Sequence, residues 1–178
     1  MQFIDLKTQY VQLKDDIDAR IHGVLDRQAF IQGPEVRELE NALAAFSGAK
    51  RVVTCANGTD ALQLALMALG IGRGDAVFVP SFTYTATAEV ILLLGAKPVF
   101  VDSDPNTFNI DFASAQAAIE RTKAAGELRP AALMTVDLFG MPVDYARARA
   151  LADAHGLAFI SDAAQGFGGD FGGRRVGS

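Results

Sequence analysis

An α/β fold, a mostly parallel sheet flanked by helices, is what this sequence predicts, and three observations predict it. From Lys50 onward, short apolar runs alternate with helical patterns. The runs are apolar throughout rather than at every second residue, as strands buried on both faces are. Gly70, Gly95 and Gly156 each stand just past a helical stretch, where a left-handed residue closes the last turn.

In chain order, Tyr10, Leu13, Ile17, Ile21 and Leu25 recur at helical spacing and predict an amphipathic helix over roughly 7–27. Gly33-Pro34 opens a second helix, with Val36, Leu39, Leu43 and Phe46 on one face and Gly48 as its stop. Strand and helix then alternate: RVVTC before a helix from Thr59 to Leu69, AVFVP before Tyr84 to Leu94, KPVFV before Phe112 to Ala124, ALMTV before Asp144 to His155, and LAFIS last. Ala124 to Pro130 reads as a flexible polar connection, and DFGGRRVGS as a hairpin about a glycine turn. The expected organisation is a helical segment over 1–48 and part of an α/β domain over 49–178. An α/β domain ending just after a hairpin is expected to be truncated.

Composition narrows the function. The net charge is −5 and no basic run exceeds Arg174-Arg175, which argues against a nucleic-acid surface. No apolar run approaches the ~20 residues that cross a bilayer, and the N-terminus lacks the apolar core of a signal peptide. A cytoplasmic protein without membrane contact is expected. Cys55 is the single cysteine, so no internal disulfide forms, and it reads as a small buried filler. His22 and His155 read as structural. Asp102, Asp104 and Asn109 lack a glutamate at calcium-loop spacing, so turn and cap roles are expected and no metal site.

Open α/β sheets bind ligands at the carboxyl ends of their strands. There lie Ala56 to Asp60, Ser81 to Tyr84, Asp102 to Asp104, Asp137 to Gly140 and Asp162 to Gln165. In "CANGTDALQLAL", Gly58 turns the chain into a helix whose free N–H groups and dipole suit an anion, with the Thr59 hydroxyl beside them. A plain cap by Asn57 or Thr59 accounts for the same letters equally well. The dinucleotide pattern G-x-G-x-x-G is absent, and the glycine cluster from Gly166 breaks at Phe171, which weakens a nicotinamide dehydrogenase. Tyr84, core or not, stands at the same sheet edge, placed to stack on a flat ring. "FISDAAQGFGG" ends a core strand on Asp162, a carboxylate suited to a cationic ring nitrogen. Phosphate, ring and carboxylate together describe pyridoxal 5′-phosphate (PLP).

The chain resembles the nucleotide-sugar aminotransferases of the DegT/DnrJ/StrS type, fold-type I PLP enzymes. The resemblance rests on "FIDLKTQY", "FIQGPEVRELE", "CANGTDALQLALMALGIGRGD", "VPSFTYTATAEVILLLGAKPVFVDSDPNTFNID", "DLFGMPVD" and "ISDAAQGFGGDFGGRRVGS", in that order. It implies that Gly58 and Thr59 hold the cofactor phosphate, Tyr84 stacks on the ring, Asp162 pairs with the pyridine nitrogen, and Gln165 approaches the phenolic oxygen. Transamination of a UDP-linked 3-keto or 4-keto sugar is implied, with glutamate as amino donor and a homodimer as the full-length form. In such enzymes the Schiff-base lysine follows the GRRVGS hairpin, beyond Ser178. A PLP-dependent sugar dehydratase of the same family, with histidine in place of that lysine, is one alternative; a non-catalytic ligand-binding fragment is another.

Lys7, Lys14, Lys50, Lys97 and Lys123 are the five lysines, and none follows a strand. The 178-residue chain alone is therefore expected to bind PLP weakly and without a specific Schiff base, and to show no transaminase activity. Borohydride reduction followed by peptide mapping checks this; stoichiometric labelling of one of the five, with turnover, contradicts it.

Overall fold

The structure, a computed structural model, describes residues 4–178; the first three residues of the expected N-terminal segment lie outside it. Two helices come first, α1 (Leu6–Arg27) and α2 (Pro34–Ser47). The Asp5 carboxylate accepts the Thr8 N–H at 3.0 Å and starts α1. Pro34 opens α2 and Gly48, at φ 82°, closes it. The sheet and its helices follow: α3 (Gly58–Ala68), β1 (Asp75–Pro80), α4 (Ala86–Leu93), β2 (Lys97–Val101), α5 (Phe112–Ala125), β3 (Arg129–Val136), α6 (Tyr145–His155) and β4 (Ala158–Asp162). Between β3 and α6 lies a single 3-10 turn, Leu138–Gly140. The tail forms the expected hairpin, β5 (Asp170–Phe171) against β6 (Arg174–Arg175).

The four long strands make one parallel sheet in the order β2-β1-β3-β4. All six residues of β1 are buried, which explains its unbroken apolar run. Alternate side chains serve opposite faces. Ala76 and Phe78 pack with Ile119, Leu133 and Ala148 on the α5/α6 side. Val77 and Val79 pack with Leu62, Leu66, Val90 and Met134 on the α3/α4 side. At the amino edge, Arg129 donates to Asp75 at 2.7 Å and the Gly72 N–H to its other oxygen at 2.9 Å. The Arg129 bond holds the Asp75 carboxyl below its ordinary range.

Four expectations need correction. Arg51 to Cys55 is not a strand but extended coil, with Val53 83% exposed. A strand needs a paired neighbour, and β2 and β4 are the edges of the described sheet. The segment hangs instead on α2, where Glu40 accepts the Thr54 N–H and hydroxyl at 2.9 and 3.0 Å. Cys55 is exposed rather than buried, its thiol donating to the Asn57 carbonyl at 3.2 Å. The helix expected from Tyr84 starts only at Ala86, leaving Tyr84 in the preceding loop. The connection after α5 is short, because Gly126 caps the helix at φ 68° and β3 begins at Arg129.

α1 is helical as expected, yet it buries no residue, and Tyr10, Leu13, Ile17, Ile21 and Leu25 are all exposed. Its ties to α2 are polar, Arg20 to Glu38 at 3.2 Å and Arg27 to Glu35. Phe78→Ala, which empties a fully buried site, is expected to cost roughly 3–5 kcal/mol. Ile21→Ala is expected to stay within about 0.5 kcal/mol of wild type. Urea unfolding of the two variants measures both.

Candidate active site

One cavity, of about 260 Å³, lies at the carboxyl edge of the sheet, lined by Gly58, Thr59, Leu62, Tyr84, Ala86, Val136, Asp162, Ala164 and Gln165. All five residues singled out from the sequence meet there. Larger hollows of about 870 and 570 Å³ lie beside Arg51 and Arg174 and beside Tyr145 and Phe171. Neither reaches the first turn of α3.

That turn is built by Asn57, whose side chain accepts the Asp60 N–H at 2.9 Å while its carbonyl accepts from Ala61 at 3.1 Å. The Gly58 and Thr59 N–H groups donate to nothing among the described residues. Capping by Asn57 and an anion site at Gly58-Thr59 are thus compatible: the cap satisfies one donor and leaves two. A Cβ placed on Gly58 would meet no atom within 4 Å, so the backbone lies open to a ligand. Opposite, β4 delivers Asp162, which faces Val136 of β3 in the register of the sheet. Its Oδ1 accepts the Ala164 N–H at 3.1 Å, and no described group donates to the other oxygen. Tyr84 is 72% exposed, its ring free for a planar partner.

Sequence reading listed Asp137 to Gly140 among the strand exits but gave them no role. Asp137 is completely buried. It accepts the Val143 N–H at 3.0 Å and the Tyr145 hydroxyl. Burial pushes the Asp137 carboxyl above its ordinary range, and burial beside Asp137 likewise raises the Tyr145 phenol. Gln165 Oε1 accepts the Phe139 N–H at 2.6 Å. Among the described residues no group of three or more His, Cys, Asp or Glu is arranged to hold a metal ion. No described helix is long and apolar enough to cross a membrane.

The chain matches a family model. A profile of the DegT/DnrJ/EryC1/StrS aminotransferase family covers residues 11–178, and the chain belongs to that family. It is 51% identical over 176 residues to a UDP-2-acetamido-2-deoxy-3-oxo-D-glucuronate aminotransferase of Pseudomonas aeruginosa, covering 98% of this chain and 47% of that protein. The crystal structure of a family aminotransferase from Brucella abortus superimposes with TM-score 0.92 at 50% identity, over 94% of this chain and 45% of that one. NtdA from Bacillus subtilis, solved with bound cofactor PMP (pyridoxamine phosphate), gives TM-score 0.82 at 31% identity, over 89% of this chain and 35% of that one. The chain spans about half the length of the curated relatives it matches.

Because the folded carboxyl of Asp137 titrates above its unfolded value, the stability it contributes is present at low pH and lost as pH rises through the raised value. Wild type is therefore expected to lose stability relative to Asp137→Asn as pH rises across and above the carboxylate range. Urea midpoints of both proteins over that range measure it; parallel curves contradict it.

Proposed function

We propose that this chain is the N-terminal part of a PLP-dependent aminotransferase acting on a nucleotide-linked ketosugar, most specifically a UDP-3-keto sugar. The observation that carries the reading is the single cavity in which Gly58, Thr59, Tyr84, Asp162 and Gln165 converge. The residues fit the cofactor: two free N–H donors for a phosphate, an open aromatic face for a ring, and a carboxylate for a ring nitrogen. The P. aeruginosa relative, named for a 3-oxo UDP-sugar, supports the substrate class.

In this reading residues 49–178 form part of the cofactor-binding large domain and residues 1–48 an N-terminal helical segment. When bound, the cofactor supplies an electron-accepting ring that carries an amino group from donor to ketosugar. Gly58 and Thr59 hold its phosphate against the positive end of α3. Asp162 keeps a proton on the ring nitrogen; such a charge-assisted bond contributes roughly 1.5–3 kcal/mol. Tyr84 covers one ring face and excludes water there. Gln165 directs a side-chain amide at the ring's oxygen substituent. No lysine lines the cavity, so this reading assigns the covalent anchor to sequence beyond Ser178. We take glutamate as donor and the complete protein as a cytoplasmic homodimer; the uncovered apolar stripe of α1 supports the homodimer alone.

The test is the intact gene product supplied with PLP, glutamate and a UDP-3-keto sugar, with the amino sugar followed by mass spectrometry. Formation of the amino sugar is expected, and its absence overturns the substrate assignment. Asp162→Ala is expected to lower turnover by orders of magnitude with the fold intact by circular dichroism. Near-normal turnover contradicts the role given to Asp162.

A further inference from the structure

Phe139 has a left-handed backbone, φ 56° and ψ 19°, which a bulky residue without a short polar side chain rarely adopts. The surrounding structure enforces it at several points. The Gly140 N–H returns to the Asp137 carbonyl at 3.1 Å, and the Asp137 N–H donates to the Asp162 carbonyl at 3.0 Å. The buried Asp137 carboxylate anchors the start of the turn through Val143 and Tyr145. Gly166 packs so closely that a Cβ there would lie 2.8 Å from Asp137 Oδ2. The Phe139 ring rests edge-on against Phe82 and Phe108, with centroids 6.2 and 5.9 Å away. Backbone strain held by its surroundings in this way is a pointer to function.

Its product is one bond. The left-handed turn aims the Phe139 N–H at Gln165 Oε1. An amide has one acceptor end and one donor end, so fixing the oxygen fixes the nitrogen. Gln165 lines the cavity, and its Nε2 donates to nothing among the described residues. We infer that the Phe139 main chain is a positioning element that locks the Gln165 amide with its NH2 end free for the ligand, so that this point of the cavity presents a donor and selects an oxyanion. The inference rests on the function proposed above and adds to it why Gln165 favours the ionised form of a ring oxygen. It assigns the role to the backbone of Phe139 and not to its ring.

Two variants of the intact gene product separate backbone from ring, and a third tests the free donor. Phe139→Gly keeps the N–H and adopts the left-handed conformation freely. Phe139→Val also removes the ring, but its β-branched side chain resists that conformation. Gln165→Glu replaces the free donor with an acceptor. Binding of pyridoxamine phosphate, which needs no lysine, is followed by fluorescence, and the protonation of its ring oxygen by absorbance against pH. Phe139→Gly is expected to bind within about twofold of wild type, and Phe139→Val about tenfold more weakly, equivalent to roughly 1.4 kcal/mol. In Gln165→Glu the bound ring oxygen is expected to take up its proton at higher pH than in wild type. Equal losses in Gly and Val assign the role to the ring and overturn the inference. A second measurement needs no ligand: the Phe139 amide proton is expected to exchange slowly in wild type and fast in Gln165→Ala. Should wild type bind no pyridoxamine phosphate, the function proposed above fails, while the exchange rates still decide whether Phe139 holds Gln165; unchanged exchange in Gln165→Ala overturns the clamp.

Discussion

Parallel pairing of β1 with both β2 and β3 is the constraint on which the rest of this structure depends. Parallel neighbours require every connection to cross over through a helix, so every strand leaves the sheet at the same edge. With β4 added in parallel, the chain exits at Pro80, Val101, Val136 and Asp162 lie along one side. The start of α3 reaches that side too, and a cavity between them needs no special device. What the sequence must add is only the residue type at each exit.

Two of those exits are braced against each other. The turn after β3 and the loop after β4 share the bond from Phe139 to Gln165, the close approach of Gly166 to Asp137, and the bond from Asp137 to Asp162. A buried carboxylate without a cation is a costly foundation unless its oxygens are satisfied, and here a backbone N–H and a phenol satisfy them. The raised carboxyl of Asp137 is the electrostatic trace of that arrangement.

Sequence reading succeeded where one local signal decides the outcome. The run AVFVP, buried at every residue of β1, needed nothing but its unbroken apolar letters to be read as an inner strand, and Gly48, Gly70, Gly95 and Gly156 follow helices in the left-handed conformation through their own backbone freedom. It failed where a partner decides. RVVTC has the composition of an inner strand, but composition does not supply a neighbour, and the segment is coil. The stripe on α1 shows helical periodicity whether or not anything covers it. At the candidate site, Gly58, Thr59, Tyr84 and Asp162 were singled out because each follows an apolar run or opens a helix at the carboxyl edge, and Gln165 through the family resemblance; all five line one cavity. Phe139 was not, since nothing in the letters DLFG says that a phenylalanine takes a left-handed backbone. Asp137 was visible only as one more acid after a strand, because its burial is a property of the folded neighbours.

The two borders of the sheet are chemically unlike. β2, on one border, begins with Lys97 and Pro98, a charge followed by a residue that has no N–H to lend on either side. β4, on the other, runs Ala158 to Asp162 without proline or lysine and pairs only with β3 among the described residues. The sheet therefore has a polarity across its width: accretion of another strand is blunted by residue type at β2, and β4 carries no such residue. The chemistry that discourages lateral pairing is thus confined to one border and missing from the border that carries Asp162.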